Sequence, residues 1–134
     1  MLPLLNAIYS RFTSTPALVS AFPGGLHRDR APEGTAMPYL VSRVTESHVE
    51  YAYGGPCRTE TVIKFSAFGV GHDATAAAAD TLVSNFDDAL LSLSSGVNDT
   101  VTRLGDPIPV LHKHDGRGND VWEWIVIYQY GVKL

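Results

Sequence analysis

The chain is short of most features that announce a chemistry. It has a single cysteine, Cys57, so no intrachain disulfide forms and nothing points to an oxidising compartment. It lacks a basic surplus: the net charge is −4, which argues against a general nucleic-acid binder. It lacks an apolar run approaching the ~18 residues of a membrane span. The apolar start, Met1 to Ile8, is short and followed by Arg11, so no secretory signal is expected. Internal repeats are absent, as is any linker long enough to divide the chain. The only low-complexity tract is Ala76–Ala79. What remains is 134 residues, 45% hydrophobic and 18% charged, the makeup of one globular domain spanning 1–134.

Apolar spacing predicts the elements. Leu4, Leu5, Ile8 and Phe12 mark one face of an N-terminal helix, with Pro3 tolerated in its first turn. Thr15 reads as an N-cap, with Pro16 opening a short turn through Ser20. Pro23-Gly24-Gly25 breaks the chain, and Leu26 to Met37 reads as loop. Tyr39–Thr45 and Thr59–Phe68 read as strands around a Tyr53-Gly54-Gly55-Pro56 turn. Ala78, Leu82, Phe86 and Leu90 recur every four residues. They predict a long helix from Asp73, its N-cap, to about Leu93. Val97–Leu104 and Ile108–His112 follow as a strand broken by Gly105-Asp106-Pro107. Val121–Tyr130, apolar on both faces, predicts a central strand, reached through a hairpin loop at Asp115–Asn119. The fold class is α+β: a mostly antiparallel sheet packed against a long helix and an N-terminal helix.

No catalytic constellation emerges. His112 and His114 share a strand face, yet two imidazoles are too few for a closed metal site. His72-Asp73 are adjacent, and neighbours seldom face one another. Cys57 lacks a Cys-His motif, and the serines at 92, 94 and 95 lack a nucleophile elbow. Gly69-Val70-Gly71 precedes a helix without the remaining positions of a dinucleotide or phosphate loop. The expectation is a protein that is no enzyme and has no metal or cofactor.

These elements carry a resemblance. The chain resembles the tail-completion or tail-terminator proteins of long-tailed bacteriophages, nearly end to end. The matching features are the helix bearing Ile8-Tyr9-Ser10-Arg11-Phe12, the segment Pro16-Ala17-Leu18-Val19, and the loop Ala31-Pro32-Glu33-Gly34 leading into Pro38-Tyr39-Leu40-Val41. They continue through the strand from Glu60 to Phe68, the helix with Ala79-Asp80 and Phe86-Asp87-Asp88-Ala89-Leu90, and an aromatic-rich closing hairpin. The resemblance implies a structural virion protein of the neck, made in the host cytoplasm. It would form a ring, typically a homo-hexamer, that caps the tail tube and joins it to a head-side connector or head-closure protein. DNA would pass through without sequence-specific binding, and no membrane is involved.

On that reading the interface candidates are Arg28 and Arg30, which flank Asp29; His112, His114 and Arg117 of the last hairpin; and Trp122, Trp124, Tyr128 and Tyr130. Two alternatives stand beside these groups: a solvated loop for the arginines, and a core beneath a helix for the four aromatics. Two other functions also stay open, a different minor tail or head-closure protein and a small-ligand-binding or enzymatic α+β domain.

Overall fold

The computed structural model describes residues 2–113 and 120–134. Among these residues three helices and six strands follow in the order α1 (Leu2–Ser14), α2 (Pro16–Ala21), β1 (Leu26–Arg28), β2 (Tyr39–Ala52), β3 (Gly55–Val70), α3 (His72–Phe86), β4 (Val97–Arg103), β5 (Ile108–Lys113) and β6 (Val121–Lys133). The strands form one sheet ordered β1-β2-β3-β6-β4, with β5 also on β6. Every pairing is antiparallel except β1 with β2. The class is α+β, as the periodicities predict.

All three helices share one core with one face of the sheet. Leu4, Ile8 and Phe12 of α1, Leu18 of α2, and Ala79, Leu82 and Phe86 of α3 pack with Leu40, Ile63, Phe65, Val126 and Tyr128 of the strands. Alternation does the sorting: Thr61, Ile63, Phe65 and Ala67 point to the helices, while Lys64 stays on the other face. Within the helix layer Arg11 ties α1 to α3, donating from Nε (3.2 Å) and Nη2 (2.8 Å) to the Asn85 carbonyl near the end of α3.

Several boundaries differ from the expectation. Helix α3 stops at Phe86, because Asp87 is drawn into the sheet. Its carboxylate accepts from the Tyr128 hydroxyl at 2.6 Å and from Arg103 Nε at 3.1 Å, and Asp88 turns into the left-handed region (φ 55°). Leu90 therefore lies exposed outside the helix and Leu91 enters the core instead. Of the two expected caps, Thr15 holds its place and Asp73 does not. Thr15 sits at the N-cap of α2, but its hydroxyl donates back to the Arg11 carbonyl at 2.7 Å. Gly71 (φ 85°), not Asp73, is the N-cap of α3. Asp73 stays in the first turn, where its charge still suits the helix dipole. The loop from Leu26 holds a three-residue strand, β1, too short to show a period. Strand β2 runs to Ala52 rather than Thr45. Residues 46–52 pair with β3 without burying an apolar face, so composition hides them.

The last strand is central, as expected. It takes β3 on one side along its whole length. On the other side it takes β5 at Val121–Ile125 and β4 at Tyr128–Lys133, the two halves of the strand broken by Pro107. Asn98 seals this seam from a buried position. Its Oδ1 accepts from Leu91 N at 2.8 Å, and its Nδ2 donates to the Thr100 and Gly131 carbonyls at 2.8 and 2.9 Å.

Tyr128 and Tyr130 are both fully buried and differ in one respect: Tyr128 donates to Asp87, whereas Tyr130 Oη has no hydrogen-bond partner among the described residues. Tyr128→Phe is expected to lose roughly 1.5–3 kcal/mol, the range for a hydrogen bond to a charged group. Tyr130→Phe is expected to be neutral or to gain up to about 1 kcal/mol, since it removes an unsatisfied hydroxyl. Urea titration of the two variants checks the contrast. Equal losses would mean that Asp87 contributes nothing through Tyr128.

Candidate functional site

The sheet's second face carries no helix. On it β3 contributes Val62, Lys64, Ser66 and Phe68, and β6 contributes Glu123, Ile125, Ile127 and Gln129. Beside them, Ile108 and Val110 of β5 are 57% and 37% exposed. An antiparallel sheet with one wet face ordinarily alternates apolar and polar residues, so a run of Val, Ile and Phe on that face departs from a purely solvated surface.

At one end the loop after β1 folds over this face and makes a cavity of about 360 Å³. Asp29, Arg30 and Ala31 form its wall, and Tyr39, Val41, Phe68 and Glu123 are among the floor residues. Tyr39 and Phe68 stack with ring centroids 5.1 Å apart, and the His112 ring lies 5.6 Å from Phe68. The wall is fixed at Asp29, which takes the left-handed backbone (φ 63°). Its carbonyl accepts from Arg43 Nη2 at 2.8 Å. Arg28 points away and donates to Asn6 Oδ1 at 2.7 Å, tying the same loop to α1. Three cations line the cavity, Arg30, Arg43 and Lys64, against two acids, Asp29 and Glu123.

Glu123 is the electrostatic centre. It is 8% exposed and accepts from His112 Nε2 at 2.6 Å and from the Ser66 hydroxyl. Burial pushes its carboxyl pKa up, but the hydrogen bonds from Ser66 and His112 and the charge of Lys64 outweigh it, and the net shift is downward. Burial, together with the same negative charge, raises the Tyr39 hydroxyl above its usual value. A depressed carboxyl stabilises the fold above the unfolded carboxylate value, and that contribution fades as pH falls through the folded value. Glu123→Gln is accordingly expected to cost about 1–3 kcal/mol at pH 7. The gap to the parent should close as denaturation curves are taken down to pH 3. A gap independent of pH would mean the cost is steric.

A second charged group marks the far end of this face. Arg58 bonds Glu60 Oε1 at 2.8 Å, both oxygens of Asp99 at 2.5 and 2.6 Å, and Thr100 Oγ1 at 2.9 Å, so it bridges β3 to β4 across β6. It crosses at Gly131, where a Cβ would collide with the guanidinium. Beyond it the β2–β3 hairpin projects past the end of β6, whose Lys133 pairs with Arg58. Tyr51 is 74% exposed and Tyr53, in the turn, is fully exposed.

The sequence candidates separate accordingly. Arg30 and His112 come together around the cavity, and Arg28 stands beside it on the outer side of the loop. Trp122 and Trp124 lie half-buried on the helix side, with the His72 ring 4.8 and 5.2 Å away at the start of α3. Tyr128 and Tyr130 are core, which corrects their place among the interface candidates: they sit beneath the helices with no surface to offer. His114 and Arg117 lie outside the described residues. His72 Nδ1 does meet Asp73 Oδ1, at 2.9 Å, but on an exposed helix start away from any cavity. Among the described residues no group of three or more His, Cys, Asp or Glu side chains is placed to hold a metal. No described helix is long and apolar enough to cross a membrane. Sequence reasoning misses Glu123, Arg43 and Lys64. Their signal is a charged residue in each strand on the face opposite the core, which reads as ordinary solvation until the loop folds over it.

No protein-family model matches the chain, and no curated protein sequence matches it either. Among solved structures the fold is similar to a chain of the virion of a native gene transfer agent particle. The TM-score is 0.72 at 15% identity, and the match covers 98% of this chain and 96% of that one.

Proposed function

We propose that this chain is a structural virion subunit of the tail-terminator kind. Copies associate head to tail into a closed ring of about six, as is typical of the family it resembles. The ring covers the last ring of the tail tube and presents its other side to a head-side connector, and DNA traverses the channel unread. The observation that carries this reading is the uncovered, partly apolar sheet face, in a fold shared nearly end to end with a virion chain. The sheet's edges are compatible with it. Strand β1 covers only Leu40–Ser42 of β2, and among the described residues no strand pairs with the outer edges of β4 or β5. A surface whose complement lies elsewhere on the same molecule gives a heterologous contact, and rotation closes such contacts into rings. Binding is by surface complementarity, without a reaction or cofactor.

Light scattering over a concentration series, followed by negative-stain imaging with and without tail-tube protein, tests the reading. Closed rings that cap tubes are the expected result. Rings that bind the portal-side protein and ignore the tube would favour a head-closure role. A strict monomer indifferent to the tube would sink the assembly reading and leave the cavity as a small-ligand site.

A further inference from the structure

The hairpin tip and the cavity are complementary in shape and charge. The tip is a knob: Tyr53 is fully exposed at the turn and Tyr51 is 74% exposed beside it, on a ribbon that no other strand supports among the described residues. Two exposed tyrosines at a projecting tip are the amphipathic, low-entropy side chains that serve as interface anchors. Glu50 and Glu46 follow the tyrosines down the exposed strand and make this arm acidic. The cavity is a socket. Its 360 Å³ falls within the ~300–1,000 Å³ typical of binding clefts, and its floor holds the stacked Tyr39 and Phe68 rings. Arg30, Arg43 and Lys64 line it, and among the described residues neither Arg30 nor Lys64 makes a side-chain ion pair. An aromatic knob with acidic neighbours therefore matches an aromatic socket whose cations, Arg30, Arg43 and Lys64, outnumber its acids, Asp29 and Glu123.

The two cannot meet within one molecule. They lie at opposite ends of strand β2: Arg43 is at the cavity, and Tyr53 is ten positions further along, roughly 33 Å at ~3.3 Å per residue. We propose that the socket receives the Tyr53 tip of a second copy of this chain, with Glu50 of that copy facing Arg30 and Lys64. The rest of the donor hairpin then lies across Ile125, Ile127 and Val110, which accounts for apolar residues on an uncovered face. This deepens the head-to-tail association proposed above and rests on it.

The test uses the full chain in a Cys57→Ser background. Two single-cysteine variants, Tyr53→Cys and Arg30→Cys, are mixed and mildly oxidised. A cross-linked heterodimer in the mixture, well above the homodimers each variant forms alone, is expected. In the otherwise unaltered chain, Tyr53→Ala should weaken self-association at least ten-fold, and Tyr53→Phe should retain most of it. Rings that form normally with Tyr53→Ala and give no cross-link would overturn the knob and socket while leaving the ring intact. The contact is overturned equally if the Arg30→Cys thiol stays reactive to iodoacetamide in rings and is shielded only when tube protein is added; the socket would then belong to the tube. A parent chain that neither associates nor cross-links at any concentration overturns both the contact and the ring.

Discussion

Phe65→Ala is expected to lose about 3–5 kcal/mol, the range for truncating a buried phenylalanine. Phe65 is fully buried at the middle of β3, where sheet and helix layers meet. Its ring lies 5.2 Å from Phe86 of α3 and 5.9 Å from Tyr128 of β6. Three losses add. The side chain's transfer energy is forfeited, a cavity opens that the rigid sheet cannot fill, and two aromatic contacts worth ~0.5–1.5 kcal/mol each disappear. A domain of this size has a total stability of about 5–15 kcal/mol, so the variant would be close to unfolding at physiological temperature. Urea unfolding measures the loss. A value below about 1 kcal/mol would mean that α3 does not pack on this part of the sheet.

The second large effect concerns assembly rather than folding. Replacing both Ile125 and Ile127 by glutamate puts two charges on the uncovered face, where each side chain is half-buried. The folded monomer has water to receive them, so its stability should change by only about 1 kcal/mol. A partner surface laid over the same residues would have to bury both charges unpaired, which costs several kcal/mol. Self-association is expected to weaken at least a hundred-fold, about 2.8 kcal/mol at ~1.4 per decade, measured by light scattering or sedimentation. The outcome to watch for is the reverse. Undiminished rings, with lowered thermal stability, would show that the face is an internal support and that assembly uses the strand edges alone.

How much of this is visible in the chain depends on which residues carry a period. The helices α1 and α3 and the strand β6 announce themselves, because a covered face imposes a spacing of 3.6 or 2 on apolar residues. Where burial does not impose a period, the pattern is silent. Residues 46–52 of β2 are held mainly by backbone pairing, without a buried apolar face. The end of α3 is hidden for a different reason. The spacing of Ala78, Leu82, Phe86 and Leu90 runs on, but Tyr128 and Arg103, far away in sequence, claim the Asp87 carboxylate and turn the chain. Thr15 takes the N-cap position its type predicts, with its hydroxyl spent on the preceding helix, whereas Asp73 shows that a capping residue type does not guarantee a cap, since Gly71 fills that position in α3.

The site is less legible than the fold. The period of β6 puts four aromatics on one face, but it does not say how far along the strand the helices reach. Tyr128 and Tyr130 fall beneath them, and Trp122 and Trp124 fall at the margin beside His72. His112 stands out in the sequence beside His114, yet its partner is elsewhere. A register irregularity between Leu111 and Lys113 sends it to Glu123, eleven residues on, and a shift of this kind leaves no trace in composition.

The way the sheet is threaded sets a schedule for the life of the molecule. Strand β6 is the common partner of β3, β4 and β5, and it is made after all of them. When residue 120 leaves the ribosome, the only sheet pairings available among the described residues are those of β2 with β1 and β3. Such a fragment lacks Val126, Tyr128, Tyr130 and Val132 of the core and the Glu123 floor of the socket. Closing loops of this length is slow compared with local helix formation. Cooperative folding of this domain therefore waits until β6 has been made, and the residues that complete the sheet also complete the cavity.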